Sequence, residues 1–509
     1  MAAGCDVRLA ARVYGREMKE MSATENSFHR LSYYAWTVVT LALMFGFGYL
    51  PPLGSLGHLG MQVLGIFIGL LVGWLSVGFV WPSLLAIVAL GLSEYTSFTG
   101  AFKAGFGNNT TVIILLMFIF AAYLNQAGVS DFIARWFLSR RSLIGHPWRF
   151  TFAIWLSAYL ICVATYVYPA ILLMWNITYD ICLRLGYKQG DRYPMVVCIG
   201  VVVFAGLGYQ ALPIKAIALM TYGALASVSG GVYGLNFLGY TVFLLIFTVL
   251  SALMFFVVAK YLLKPDLTLL EQIDEETFAQ YRTEKMQPET KRALWALIAF
   301  IVLMVLSCVI PKTFPILGPA LRSFTVLGCI TVLLAALQII HVDGQPVMDF
   351  TRAAQSKDIS WQTVIMFAGT MPVADAMTSE EVGIMACLQQ TLTPYFSVMT
   401  PFVFTVAIIA VSIIATQFLH NVVICVMMVP IMYVFAPAIG ASPTVLALMI
   451  SVACCCASAT PAASAPAAME FLNTAWIRTR TLYWLNTLLV AGNLVTLIIL
   501  IPLAKWLVG

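Results

Sequence analysis

Apolar residues run along this chain in stretches too long and too unbroken for the buried faces of soluble helices. A helix needs roughly 18 apolar residues or more to cross about 30 Å of hydrocarbon at about 1.5 Å per residue. The pattern predicts such spans at about 33–50, 58–78, 80–95, 108–126, 193–225, 235–262, 292–310, 316–341, 359–377, 442–473 and 481–505. The apolar residues do not alternate as they would in a membrane β-barrel. Two further apolar stretches, 150–185 and 398–437, are too long for one span and are broken in the middle by polar residues or proline. Each predicts a re-entrant hairpin.

Charge tests this arrangement, because short cytoplasmic loops carry an excess of Lys and Arg. If both hairpins return to the side they came from, the N-terminal tail and segments 127–149, 184–192, 260–292, 342–358 and 474–480 share one side. Of the 27 Lys and Arg, only Lys103, Lys312, Arg322 and Lys505 then face the other side, and Lys215 falls within a span. Counting either hairpin as a full crossing scatters the basic residues over both faces. The predicted topology has a cytoplasmic N-terminus and an outer C-terminus.

Composition agrees with the pattern. Charged residues make up 10% of the 509 and apolar ones 61%, with a mean hydropathy of +0.94, where soluble domains average about 25% charged. The expected fold class is an all-α polytopic membrane protein of about 11 transmembrane helices, in a cell membrane or bacterial inner membrane. The first 30 residues lack the short apolar core and small-residue cleavage site of a secretory signal, so the first span is expected to direct insertion. The net charge of +5 adds little, and the lipid bilayer, not a nucleic acid, is the expected macromolecular surrounding. The 11 Cys lie mostly in apolar segments, three of them in the run Cys454, Cys455, Cys456. They match neither a zinc spacing nor a disulfide framework, so no metal site and no cofactor is expected.

The most polar stretch, KPDLTLLEQIDEETFAQYRTEKMQPETKRA from Lys264, divides the chain near its midpoint. The expected organisation is a cytoplasmic tail 1–32, a first repeat 33–262, a cytoplasmic linker 263–291 and a second repeat 292–509. Each half carries spans, an amphipathic segment (131–141; 380–392), a broken hairpin (150–185; 398–437) and a long interrupted span (193–225; 442–473). The first hairpin enters from the cytoplasm and the second from outside, so the halves are related by inversion. Inverted repeats with discontinuous helices at matching positions point to a secondary transporter with its site where the breaks meet.

Four breaks are predicted. The first hairpin turns in CVATYVYPAILLMW, where Pro169 disfavours a helical Tyr168. The second turns in QFLHNVVICVMMVP. Gly206, Gly208 and Pro213 mark unwinding in FAGLGYQALPIKAIAL, and Pro461 and Pro466 mark it in CCCASATPAASAPAAMEF. Half-helices that begin at mid-membrane aim their N-terminal amides into a cavity and favour an anion there. Lys215, at the start of such a half-helix, is expected roughly 20 to 25 Å deep.

The stretches LLVGWLSVGFVWPSLLAIVAL, FGNNTTVIILLMFIFAAYLNQAGVSDFIA, TQFLHNVVICVMMVP and CASATPAASAPAAMEF resemble the divalent anion/sodium symporters, a dicarboxylate transporter family of the ion transporter superfamily. The likeness runs over nearly all of 58–505. It implies an elevator-type homodimer that binds a dicarboxylate between the tips and breaks, with two sodium ions held by Ser-Asn-Thr tips and Thr-Pro-Pro breaks. By position the first tip is Thr165, Tyr166, Val167 and the second His420, Asn421, Val422. Ser464, Ala465 and Pro466 take the second Thr-Pro-Pro place and Leu212, Pro213 and Ile214 the first, with Lys215 where the family has asparagine. Val167 and Val422 remove both threonine hydroxyls that a hard cation would use.

Thr165, Tyr166, Lys215, His420, Asn421, Ser464 and Pro466 are therefore the expected substrate-binding residues. Lys215, His420, Gly208 and Thr460 are expected at the coupling positions. The ammonium of Lys215 either occupies the first cation place or faces an anionic substrate. His420 is the one deep histidine of five and is able to carry a proton. Glu470 and Asp180 are weaker candidates for proton relay or ion pairing, and Lys103 and Arg140 read as interfacial anchors. The expected function is transport of di- or tricarboxylates by exchange or proton coupling. Sodium symport, or a different organic solute recognised with Tyr166, Tyr209 and Gln210, stands as the alternative. An enzyme is disfavoured, since there is no H-E-x-x-H and no G-x-S-x-G.

Overall fold

The apolar runs fold as helices, and the interruptions end them. This computed structural model describes residues 23–271, 286–309, 326–396 and 399–509. The first half contains α1 (Ala23–Gly46), α2 (His58–Ser76), α3 (Val80–Leu92), α4 (Phe98–Phe106), α5 (Asn109–Gln126) and α6 (Val129–Leu138). It continues with α7 (Pro147–Ala164), α8 (Val167–Arg184), α9 (Arg192–Gln210), α10 (Ala216–Val228) and α11 (Phe237–Val257). The second half contains α12 (Pro288–Val309), α13 (Val326–Ile339), α14 (Trp361–Thr378), α15 (Ile384–Phe396) and α16 (Pro401–Ala415). It ends with α17 (Asn421–Ile439), α18 (Pro443–Cys455), α19 (Ala465–Leu472), α20 (Thr479–Ile499) and α21 (Ile501–Val508). A two-stranded antiparallel pair, β1 (His341–Val342) and β2 (Gln345–Pro346), lies before α14.

Among the described residues, eight helices are long and apolar enough to cross a membrane, and five shorter ones are also apolar. The two halves carry the same order of parts: an amphipathic helix (α6; α15), a helix pair (α7–α8; α16–α17), then a span in two pieces (α9–α10; α18–α19). One apolar cluster surrounds the first pair together with α9, and another surrounds the second pair together with α10 and α18. A third joins α2, α3 and α5 to α12, α13 and α14.

Several expected boundaries move. The N-terminal tail expected to reach residue 32 is helical from Ala23, and the expected linker 263–291 includes the first turn of α12 from Pro288. Residues 1–22 and 272–285 of those regions lie outside the described residues, as do residue 310 of the span expected at 292–310 and 316–325 of the span expected at 316–341. The span expected at 481–505 is two helices meeting at Leu500, with Pro502 in the first turn of α21. Helix α4 was not expected at all.

The glycine and proline signals are corrected most. Gly206 and Gly208 do not unwind their span, because α9 stays helical to Gln210 and the break covers 211–215 around Pro213. Gly208 is helical because its lack of a side chain is needed elsewhere. A Cβ there would run into the Tyr159 carbonyl and come within 3.1 Å of Cys162 Cβ on α7. A Cβ at Gly200 would run into the Trp155 ring. Two small residues two turns apart let α7 and α9 approach closely, as small residues do between helices in lipid. Tyr168 is helical too. Pro169 is the third residue of α8, where its missing N–H costs no intrahelical bond.

Candidate functional site

Four helices begin around one cavity. Tyr166 is the N-cap of α8, Lys215 of α10, His420 of α17 and Ser464 of α19. The first residues of all four helices line a cavity of about 250 Å³, among them Val167, Ala216, Asn421 and Pro466. Each helix start leaves backbone amides without an intrahelical partner and carries roughly half a positive charge from its macrodipole. Among the described residues, no Lys or Arg lines the cavity, and Glu470 is its one acidic side chain.

Of the sequence-predicted residues, Tyr166, His420, Asn421, Ser464 and Pro466 meet at this cavity. Thr165 and Lys215 do not. They line a much smaller, mostly apolar cavity of about 30 Å³ behind it, with Tyr166 and Ala216 shared between the two. Lys215 is buried, and its ammonium donates to the carbonyls of Cys162 at 3.1 Å and Thr165 at 2.8 Å. Those carbonyls belong to the C-terminal end of α7, the negative pole of that helix. The Thr165 hydroxyl turns back to the Ile161 carbonyl at 2.8 Å and lies 3.4 Å from Ser130 Oγ. Gly208 packs under the same arm.

At the second tip the backbone leaves the helix from Thr416 to His420. His420 Nδ1 accepts the Val422 N–H at 3.3 Å, and Asn421 Oδ1 accepts the same N–H at 2.9 Å. The His420 ring lies edge-on to Phe79 at 4.9 Å. With Nδ1 accepting, a neutral ring carries its proton on Nε2. Ser464 Oγ accepts from Ala467 N–H at 3.3 Å and donates to the Ala457 carbonyl at 2.7 Å, capping α19 and closing the break over 456–464.

Sequence reasoning missed Gln417. Its amide nitrogen donates to the carbonyls of Ile413 at 2.7 Å and Cys456 at 3.0 Å. Its amide oxygen accepts from the N–H groups of Ser458 at 3.1 Å and Ala459 at 2.8 Å. The Thr460 hydroxyl donates to the Gln417 backbone carbonyl. All the main hydrogen-bonding capacity of one buried side chain thus ties the second tip to the second break. The available signal was a Thr-Gln pair at the end of an apolar run, next to the His-Asn that drew notice.

The aromatic wall of the cavity comes from Tyr166, Tyr168 and Tyr209, with Tyr166 and Tyr209 at 5.6 Å and perpendicular. Gln210 and Glu470 line the cavity from α9 and α19. Asp180 does not reach it and pairs with Arg184 one turn along α8 at 2.9 Å.

The chain matches the citrate transporter (CitMHS) family model over residues 62–453, most of its length. No curated protein matches it by sequence. Among solved structures it is similar to the YdaH transporter of Alcanivorax borkumensis, at 12% identity and a TM-score of 0.57, over 88% of this chain and 98% of that one. It is also similar to MtrF of Neisseria gonorrhoeae, which is described within a class of antimetabolite efflux pumps. The identity there is 15% and the TM-score 0.56, over 92% of this chain and 94% of that one. Identities this low speak for the fold, whereas the family match spans both tips and the first break. The chain belongs to the citrate transporter family: it is a multi-pass membrane transporter of organic anions, not an enzyme.

Proposed function

We propose that this protein moves small di- or tricarboxylates by alternating access, as an anion exchanger or in step with protons rather than strictly with sodium. The convergence of four helix N-termini on one cavity that no Lys or Arg among the described residues lines carries the reading. Oriented amides and helix dipoles favour an anion without the tight grip of a buried salt bridge. A carrier has to release what it binds, so this is the more suitable chemistry.

In this reading Asn421, Ser464, Pro466 and Tyr166 shape the carboxylate site, and His420 donates to the substrate from Nε2. Thr165 backs the first tip. Lys215 fills, with a fixed charge, the place that the resemblance assigns to a sodium ion; its two carbonyl partners support that role over direct substrate contact. Gly208 and Thr460 hold the arms around the coupling positions. The shared order of parts supports two inverted repeats, 33–262 and 292–509, with re-entrant hairpins at α7–α8 and α16–α17. The hairpins and broken spans then move as the elevator body of a homodimer, with a cytoplasmic N-terminus and an outer C-terminus.

The test is uptake of radiolabelled succinate and citrate into proteoliposomes under a sodium gradient, a proton gradient, or internal unlabelled substrate with neither. Uptake driven by internal substrate or by the proton gradient is expected. Uptake that requires sodium alone contradicts the role given to Lys215.

A further inference from the structure

Glu470 was only a minor candidate from the sequence, yet its surroundings single it out. It is 1% exposed and lines the cavity from α19. One carboxylate oxygen accepts from Asn486 Nδ2 of α20 at 3.0 Å, and the other is buried without a partner. Asn486 Nδ2 also donates to the Ser458 carbonyl at 2.9 Å, so its two protons are both spoken for. The groups that face Glu470 or share its cavity bring no counter-charge. They are Cys198 of α9, Cys455 and Cys456 at the second break, Tyr166, Tyr168, Tyr209 and His420.

An ionised carboxylate here is costly without a counter-ion, and it also repels an anion entering the same cavity. A divalent metal ion needs several oxygen ligands at once, and no group of three or more acidic, His or Cys side chains that could hold one exists among the described residues. A proton on the free oxygen removes both the burial cost and the repulsion. His420 is the poorer carrier, because protonating Nδ1 breaks its bond to the Val422 N–H and leaves that amide to Asn421 alone.

We infer that Glu470 is the residue that takes up the coupled proton, and that carboxylate and proton bind together because each removes a penalty on the other. The step is balanced: one proton from the solution on the loading side bonds to the free Glu470 oxygen as the anion enters. It leaves to the solution on the other side as the anion departs. By linkage, substrate must raise the affinity for the proton by the same factor that the proton raises affinity for substrate. This inference rests on the carboxylate-carrier reading above.

The experiment uses the full chain, purified and reconstituted, with Glu470→Gln, Glu470→Asp and His420→Gln beside the wild type. Two rates are compared: exchange of labelled against internal unlabelled citrate or succinate at equal pH, and accumulation driven by a pH gradient. Glu470→Gln is expected to slow exchange a few-fold but to cut accumulation by about a hundredfold, with a flattened pH profile, as removal of a coupling energy requires. Glu470→Asp is expected to restore part of the accumulation, and His420→Gln to keep the ratio of the two rates. A direct check on the wild type, independent of any variant's folding, is proton uptake from a weakly buffered solution when substrate binds. Accumulation by Glu470→Gln in the wild-type ratio overturns the inference alone, as does substrate binding to the wild type without proton uptake. A wild type that moves no carboxylate under any gradient overturns the carrier reading and this inference together.

Discussion

Each hairpin tip is tied to its broken span through a buried polar side chain, Lys215 at the first and Gln417, beside the hydroxyls of Thr416 and Thr460, at the second, and the two main ties differ in kind. At the first tip the tie is an ammonium: Lys215 reaches from the start of α10 to the carbonyls of Cys162 and Thr165. At the second it is a carboxamide: Gln417 offers two donors and two acceptors to Ile413, Cys456, Ser458 and Ala459. The surrounding groups explain the choice. The first tip presents only acceptors, so the tie can be any cation. The second mixes carbonyls and amides, which a neutral group with both functions satisfies and no ion does.

The sharpest way to break this comparison is to remove the charged tie. Lys215→Met leaves two carbonyls without a partner, and charge-assisted bonds contribute about 1.5 to 3 kcal/mol each. The variant is expected to lose about 3 kcal/mol or more of stability, read as a lower midpoint of thermal unfolding in detergent, and to lose nearly all uptake. Lys215→Ala leaves room as well, so added sodium is expected to raise its unfolding temperature by mass action. An unfolding temperature indifferent to sodium would argue that the first tip is no cation place.

Gln417→Leu comes next. Three bonds from the tip to the break, at an average of about 0.6 kcal/mol in membrane interiors, give about 2 kcal/mol. No sodium response is expected in Gln417→Ala, and Gln417→Glu, which keeps the acceptors and loses the donors, is expected to fall between. A sodium response at both tips would erase the distinction. Asn421→Ala is expected to raise KM for carboxylate about tenfold, the loss of roughly one hydrogen bond to a charged group. Uptake kinetics measure this, with kcat changed less than KM. Thr165→Val is the mildest, since it removes one local hydroxyl-to-carbonyl bond at 2.8 Å and one long contact with Ser130 at 3.4 Å. A cost of about 1 kcal/mol or less is expected in thermal unfolding.

The sequence carried the coarse fold because lipid leaves the backbone few options: long apolar runs become helices, and prolines and polar residues punctuate them. Pro213, Pro461 and Pro466 do fall in or beside the two breaks. Gly206 and Gly208 misled because a glycine's helix penalty of about 1 kcal/mol is outweighed once close packing against α7 requires the missing side chain. The cavity residues Tyr166, His420, Asn421 and Ser464 were legible as oddities in apolar surroundings. Lys215 was legible as a buried charge, but the direction of its side chain was not, since position along the chain does not fix which side of a break it takes. Gln417 acquires its role from partners 39 to 42 residues away and Glu470 from one 16 residues away, all on other elements, and no local pattern marks that.

The central claim, that the anion sits where the four helices begin, has a native reporter. Cys455 lines the cavity and is half-buried. In a variant with all other cysteines replaced, the rate of Cys455 labelling by a small maleimide is measured in detergent, with and without a carboxylate that the reconstituted protein transports. The account predicts that saturating substrate slows labelling several-fold and that Asn421→Ala shifts the protecting concentration upward. Labelling at the same rate with every transported carboxylate would mean that the anion binds elsewhere.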